Sequence, residues 1–138
     1  MKDFSKILVP VDGSAKSFQA LDRALTLAGF THGEVTCIHV IPEVPPGGPR
    51  TREMEKHLKE DGNIVLKKAA RRAGTNIKFK TRLVHGAPNV ETIKIARNGK
   101  FDHIVMSTTG KGGATGDMLG SVSNYVLHKS KIPVYLIK

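Results

Sequence analysis

Short apolar runs rich in β-branched residues alternate along this chain with segments in which apolar residues recur every three or four positions. The runs predict strands and the longer period predicts helices. The predicted strands are 6–11, 34–41, 76–85, 103–106 and 133–137, and helices are predicted to begin near residues 14, 51, 88 and 121. This βαβαβαβαβ order is typical of an α/β fold with a single open, parallel five-stranded sheet and helices on both faces. At 138 residues the chain is expected to form one domain over 1–138.

The same patterns predict where the helices end and which side chains they bury. Glycine commonly ends helices, so we expect the first helix to stop at Gly29 and the second, 51–73, to stop at Gly74. Gly62 is expected to weaken the second helix by ~1 kcal/mol relative to alanine. Period-two alternation in 76–85 predicts a strand near the edge of the sheet. The expected inward residues are Phe18, Leu21, Leu25 and Ala28, then Met54, Leu58, Val65 and Ala69, then Val90, Ile93 and Ala96.

A glycine-rich connection follows the fourth predicted strand. It runs over twelve residues, 108–119, with glycines at 110, 112, 113 and 116, and Gly120 follows it directly before a helix begins at Ser121. Most βα connections are ~2–6 residues long, and longer ones are usually functional or disordered. Glycines admit close approach of backbone N–H groups, and a helix N-terminus attracts anions. The connection is therefore either a phosphate cradle or a mobile surface loop.

The predicted topology favours the cradle. In open parallel sheets, ligands bind beyond the carboxyl ends of the strands where the strand order reverses. The first strand ends at Pro10, Val11 and Asp12, and the fourth ends at Ser107, both in turn-forming or polar sequence. We expect these two ends to form the crevice.

Several common motifs are absent from the sequence. No GxxxxGK[ST] occurs, and a GxGxxG count from Gly110 places Thr115 at the third glycine, so neither a Walker A loop nor a Rossmann fingerprint is present. No GxSxG elbow occurs. The six histidines show no ligand spacing, and Cys37 lies within an apolar run as a core thiol, so we predict no metal site and no catalytic residue.

Charge leaves a further function open. The net charge is +10, with a dense basic cluster at 67–72, which would suit a nucleic-acid-binding accessory protein. Five Phe, two Tyr and no Trp make an array for base stacking improbable, so nucleic acid is the less favoured partner. No apolar run reaches the ~18–20 residues of a membrane span. A single cysteine favours a reducing cytoplasm.

Four segments together resemble the universal stress protein family: ILVPVDGS at the first strand, HVIPE after the second, the HGAP turn, and the glycine loop with GSVS. The similarity covers essentially the whole chain. The nucleotide-binding branch of the family has G-x-x-G, nine residues, then G-[S/T]. Here Gly110 is the second glycine, 111–119 are the nine residues, and Gly120 and Ser121 close the motif. Ser107 stands where the first glycine would be.

This resemblance implies ATP, with or without Mg²⁺, as the ligand. Asp12 would face the ribose or adenine, Pro10 and Val11 would line the base pocket, and Val40 would meet adenine through its main chain. Donors at the start of the last helix would complete the site. The implied phosphate-binding residues are Ser107, Thr108, Thr109, Gly110, Lys111 and Gly113 in the loop, and Gly120, Ser121, Val122 and Ser123 at the helix start.

The resemblance also implies a homodimer through the terminal strand, Val134–Ile137, and a regulatory role in the stress response with a protein partner that the sequence does not name. No residue of the motif is an obvious general base, so at most slow ATP hydrolysis is expected. A nucleotide-free dimeric module is the alternative, and Ser107 is its support. ATP, AMP and cyclic nucleotides, and the role of 42–50, stay open at this point.

Overall fold

The computed structural model describes residues 3–43, 51–110 and 119–138. In these ranges each predicted strand and helix is present. The elements in chain order are β1 (Lys6–Pro10), α1 (Ala15–Thr31), β2 (Glu34–Ile41), α2 (Arg52–Ala73), β3 (Lys78–His85), α3 (Pro88–Asn98), β4 (His103–Ser107), α4 (Ser121–Lys129) and β5 (Val134–Ile137). The part of 42–50 beyond Glu43 lies outside the described residues.

The strands form one five-stranded parallel sheet in the order β3-β2-β1-β4-β5. The chain builds outward from β1 to β3 on one side and then returns to place β4 on the other side of β1. The strand order therefore reverses between β1 and β4. This confirms the predicted α/β fold, and β3 lies at an edge as predicted.

Two apolar layers hold helices against the two faces of the sheet. Side chains alternate along β1, so that Ile7 and Val9 pack with α1 and α2 while Leu8 packs with α3 and α4. All three are fully buried. Cys37 belongs to the first layer, as predicted, and burial raises the pKa of its thiol to about 12. In the described part of the chain, no helix has the length and apolar character needed to cross a membrane.

The end of α1 differs from the prediction. The helix continues through Gly29 to Thr31 and is capped by His32, which takes the left-handed conformation with φ 55°. Gly29 is exposed, an added Cβ there would make only an ordinary contact with Ile77 Cδ1 at 3.9 Å, and the residue retains helical geometry. Glycine permits a helix end but does not require one, so the prediction of an end at Gly29 was wrong.

The buried faces of α2 and α3 agree with the predicted ones in part: Ala69 and Ala96 are buried, and Val65 and Ile93 pack against the core. In α2 the buried residues are Gly62, Leu66, Ala69 and Ala73, whereas Met54 is 50% exposed. A 22-residue helix is about 33 Å long and an eight-residue strand about 26 Å, so the first turns of α2 extend past the sheet. Leu58 and Val65 are only partly buried. In α3 the polar Thr92 faces inward with Ile95 and Ala96, and Val90 is exposed instead.

A carboxylate joins β1 to the start of β4 at the end of the sheet opposite the predicted crevice. Asp102 is buried, and one of its oxygens accepts hydrogen bonds from the Ser5 N–H, the Ser5 hydroxyl and the Lys6 N–H at 3.0, 2.7 and 2.8 Å. Its other oxygen accepts from His103 Nδ1 at 2.9 Å. Burial alone would raise the pKa of Asp102, but these hydrogen bonds outweigh it and lower that pKa.

Candidate functional site

A cavity of about 320 Å³ opens at the carboxyl ends of β1 and β4, where the strand order reverses. The described residues that line it come from the ends of β1, β2 and β4, from the starts of α1 and α3, and from the first turn of α4. They are Pro10, Val11, Asp12, Ser17, Ile38, Val40, Pro88, Met106, Ser107, Thr109, Gly110, Gly120, Ser121, Val122 and Ser123.

Most of the residues named from the sequence therefore meet around one cavity. Thr108 is an exception because it is not among the lining residues. Lys111 and Gly113 lie outside the described residues. Sequence reasoning missed Ser17, Ile38, Pro88 and Met106, although Ile38 could have been found from Val40 by the two-residue strand period, and Pro88 from the HGAP turn.

Asp12 and Gly110 bring the two strand ends into close approach. One oxygen of the Asp12 carboxylate accepts a hydrogen bond from the Ser14 N–H at 2.9 Å, which fixes the turn into α1. The other oxygen lies against Gly110, where an added Cβ would overlap it. Gly110 has no positive φ, so its constraint is space: an alanine there would force the Asp12 carboxylate to move.

Ser107 fits its position without strain. It is the buried last residue of β4 and is not among the residues with positive φ, which are Phe4, His32 and Lys100 apart from glycines in the described ranges. Its hydroxyl donates to the Thr109 carbonyl at 2.6 Å and so fixes the first turn of the loop. The departure from the family motif therefore carries no backbone penalty here.

Thr108 fastens both sides of the loop instead of lining the cavity. Its N–H donates to the Ile137 carbonyl at 2.9 Å, in continuation of the β4–β5 pairing. Its carbonyl accepts from the Gly120 N–H at 2.7 Å and from the Ser123 hydroxyl at 2.6 Å. These two bonds hold the start of α4 beside the end of β4.

The start of α4 gives this side of the cavity a positive potential. Gly120 is the N-cap, and no side chain of the described ranges forms a capping hydrogen bond there. The first turn also has no acidic residue to offset the helix dipole. Backbone N–H groups at a helix start, together with the hydroxyl of Ser121, are donors suited to an anion, whereas the Ser123 hydroxyl donates to the Thr108 carbonyl.

The cavity also has apolar lining and a main-chain edge. The apolar side chains include those of Ile38, Val40 and Met106. Val11 N–H donates to the Ile38 carbonyl at 2.8 Å, which directs the main-chain groups of Ile38 toward β1. Main-chain groups alternate in direction along a strand, so the N–H and C=O of Val40 also point toward the β1 side. Val40 lies two residues beyond Ile38, the last β2 residue that pairs with β1. The cavity thus combines an apolar lining with an anion-attracting end.

Carboxylates are scarce around this cavity. Asp12 is the one acidic residue among its described lining residues. Elsewhere in the described ranges, no three His, Cys, Asp or Glu side chains cluster so that they could hold a metal ion. The arrangement therefore offers ligand binding through hydrogen bonds and shape.

Comparison with known proteins identifies the family. The sequence profile of the universal stress protein family matches residues 3–138, essentially the whole chain. The chain belongs to the universal stress protein family. Universal stress protein MJ0531 of Methanocaldococcus jannaschii is 34% identical over 140 residues, covering 98% of this chain and 82% of that relative.

Solved universal stress proteins share the fold. The universal stress protein UspA from Lactobacillus plantarum superposes with a TM-score of 0.81 over 100% of both chains at 24% identity. A universal stress protein solved in complex with cAMP has a TM-score of 0.76 and 25% identity over 97% of both chains. The α/β architecture and the family assignment are therefore both established for this universal stress protein.

Proposed function

We propose that this universal stress protein binds an adenine nucleotide, ATP first among them, in the crevice between β1 and β4, and that occupancy serves as a regulatory signal in the cytoplasm. The observation that carries the proposal is the presence in one cavity of an apolar lining with a main-chain edge and a helix start without acidic residues. The relative solved with cAMP supports an adenine nucleotide as the ligand class.

Each part of a nucleotide has a counterpart in the cavity. The base would lie against Ile38, Val40 and Met106, with its edge toward the Val40 main chain. Asp12 would accept from the ribose hydroxyls. The phosphates would lie between Gly110 and the start of α4, near the helix-start N–H groups and the Ser121 hydroxyl. Mg²⁺ would accompany the nucleotide through phosphate oxygens and water, since Asp12, the acidic residue of the described lining, is assigned to the ribose.

The site is suited to holding a nucleotide more than to hydrolysing it. Asp12, the acidic residue of the described lining, accepts a hydrogen bond from the Ser14 N–H at the strand end that would face the sugar. A general base must come within hydrogen-bond distance of the attacking water. We therefore expect at most slow hydrolysis.

Calorimetric titration with ATP, AMP and cAMP, each with Mg²⁺, tests the proposal. Wild-type protein is expected to bind at least one of them in the micromolar range. Gly110→Ala is expected to weaken that binding at least ~10-fold, because the added Cβ displaces the Asp12 carboxylate. Gly120→Ala is expected to weaken it less, since its Cβ would lie 3.3 Å from the Thr108 carbonyl oxygen.

The matched control is Gly29→Ala, the same change at an exposed glycine whose Cβ would meet one atom at 3.9 Å. The nucleotide affinity of Gly29→Ala should equal that of wild type. Absence of binding by wild type at millimolar concentrations of all three nucleotides would contradict the proposal and favour the nucleotide-free alternative.

The homodimer through β5 is part of the same proposal. β5 is an edge strand, and its Tyr135 is 42% exposed. An open edge with an exposed aromatic residue is a typical pairing surface. Sedimentation should show a dimer for wild type and a monomer for Tyr135→Lys. If both proteins sediment as monomers, the proposed homodimer is contradicted.

A further inference from the structure

His39 is linked to the crevice through a hydrogen bond with the main chain of Val11, the residue that follows β1. It lies in β2 between Ile38 and Val40, half-buried, and its Nδ1 is 2.9 Å from the carbonyl oxygen of Val11. A carbonyl oxygen only accepts hydrogen bonds. The proton of a neutral His39 ring must therefore be on Nδ1, and Nε2 then carries no proton.

This hydrogen bond takes the place of the next rung of the sheet. The last rung between the two strands is the Val11 N–H to the Ile38 carbonyl, at 2.8 Å. In a parallel ladder the following rung would join the Val40 N–H to the Val11 carbonyl. That rung is absent among the described residues, and the Val11 carbonyl accepts from His39 instead.

The ring is held in place from the side of α2. A Cβ added at Gly62 would lie 3.0 Å from His39 Cδ2 and 2.6 Å from Leu83 Cδ1. The buried Gly62 thus lets α2 approach β2 closely enough to confine the ring. Val11 and Val40 both line the cavity, so the consequence of this packing reaches the site.

We propose that His39 is a positioning residue for base recognition: by occupying the Val11 carbonyl, it keeps the N–H of Val40 available to the ligand. The proposal rests on the proposed nucleotide site for its consequence, but its geometry can be tested without any ligand. An open Val40 edge offers one N–H donor and one C=O acceptor. Adenine matches this pair with its N1 acceptor and its 6-amino donor, whereas hypoxanthine presents N1–H and a 6-oxo group.

The first test uses ligand-free protein and NMR. Nitrogen shifts of His39 should show the Nδ1–H form. The Val40 amide should exchange with solvent faster in wild type than in His39→Leu, in which the Val11 carbonyl is released to pair with it, by at least ~10-fold. An Nε2–H ring, or a Val40 amide equally protected in both proteins, would overturn the proposal whether or not nucleotide binds.

The second test compares the affinities of ATP and ITP. Wild type should prefer ATP, and His39→Leu should reduce the ATP-to-ITP affinity ratio about tenfold, because an unpaired polar edge discriminates between bases and a paired edge does not. His39→Asn, whose amide nitrogen can replace Nδ1 as donor, should retain the ratio. A purely structural role would weaken both nucleotides equally and leave the ratio unchanged, and that result would overturn the proposal. Failure of wild type to bind either nucleotide would instead contradict the proposed function.

Discussion

Ser107, at the end of β4, and Gly110, in the loop that follows, stand three residues apart, and the structure gives them different reasons for being small. Gly110 is small because the Asp12 carboxylate occupies the space that a Cβ would need. Ser107 is a buried strand residue whose hydroxyl holds the Thr109 carbonyl. A motif that treats both positions as glycine does not distinguish these requirements.

Restoring glycine at position 107 is therefore expected to bring no benefit. Ser107→Gly should lower the free energy of unfolding by about 1–2 kcal/mol, because it removes a buried hydrogen bond and adds a flexible residue to a strand. Urea denaturation measures the stability and calorimetry the nucleotide affinity. Ser107→Ala, which removes the bond alone, is the control and should show about half of the loss. Tighter nucleotide binding by Ser107→Gly would contradict the expectation.

At the scale of single elements, the sequence predicted the strands and helices well because burial imposes its period on the residue order. The 34–41 strand and the 121–129 helix agree with the structure at both ends. Predictions failed where the deciding contact is distant or where two signals compete. His32 ends α1 although Gly29 is available, and Met54 is exposed because α2 is longer than the sheet. The Asp12–Gly110 approach and the His39–Val11 bond join residues far apart in sequence, which local periodicity cannot reveal.

The two glycines inside helices predict opposite effects of the same substitution. Gly29→Ala should raise the free energy of unfolding by about 0.5–1 kcal/mol, because the site is exposed and alanine favours a helix. Gly62→Ala should lower it by about 1 kcal/mol or more, because overlap with Leu83 and His39 exceeds the gain in helix propensity. Thermal and urea unfolding of both variants measure this difference, and stabilisation by both would show that α2 can move away from β2.

At the scale of the whole molecule, Asp102 connects β1 to the start of β4, the strand on its other side that comes much later in the sequence. Asp102→Asn should lower the free energy of unfolding at neutral pH by about 3 kcal/mol, because the carboxylate accepts several hydrogen bonds while buried. Asp22→Asn is the matched control. Its carboxylate pairs with Arg72 at 2.6 Å on the surface, where such pairs contribute about 0–1 kcal/mol.

The contribution of Asp102 to the free energy of unfolding should also depend on pH. The pKa of Asp102 is lower in the folded protein than in the unfolded chain, where it is about 3.9. The stabilisation is therefore fully present above about pH 4 and is lost as the pH falls through the folded-state pKa. Urea unfolding of wild type and Asp102→Asn between neutral pH and pH 3 should show their difference shrinking below pH 4. A difference that stays constant with pH would contradict this account.

The central position of β1 has a consequence for the protein as it is made. β1 is made before the other four strands, so it can pair with β2 long before β4 exists to pair with its other edge. The crevice takes residues from Pro10 to Ser123, so it cannot form until α4 has begun to emerge from the ribosome. A nucleotide could therefore bind only after both halves of the sheet have been made, and once bound it would oppose their separation.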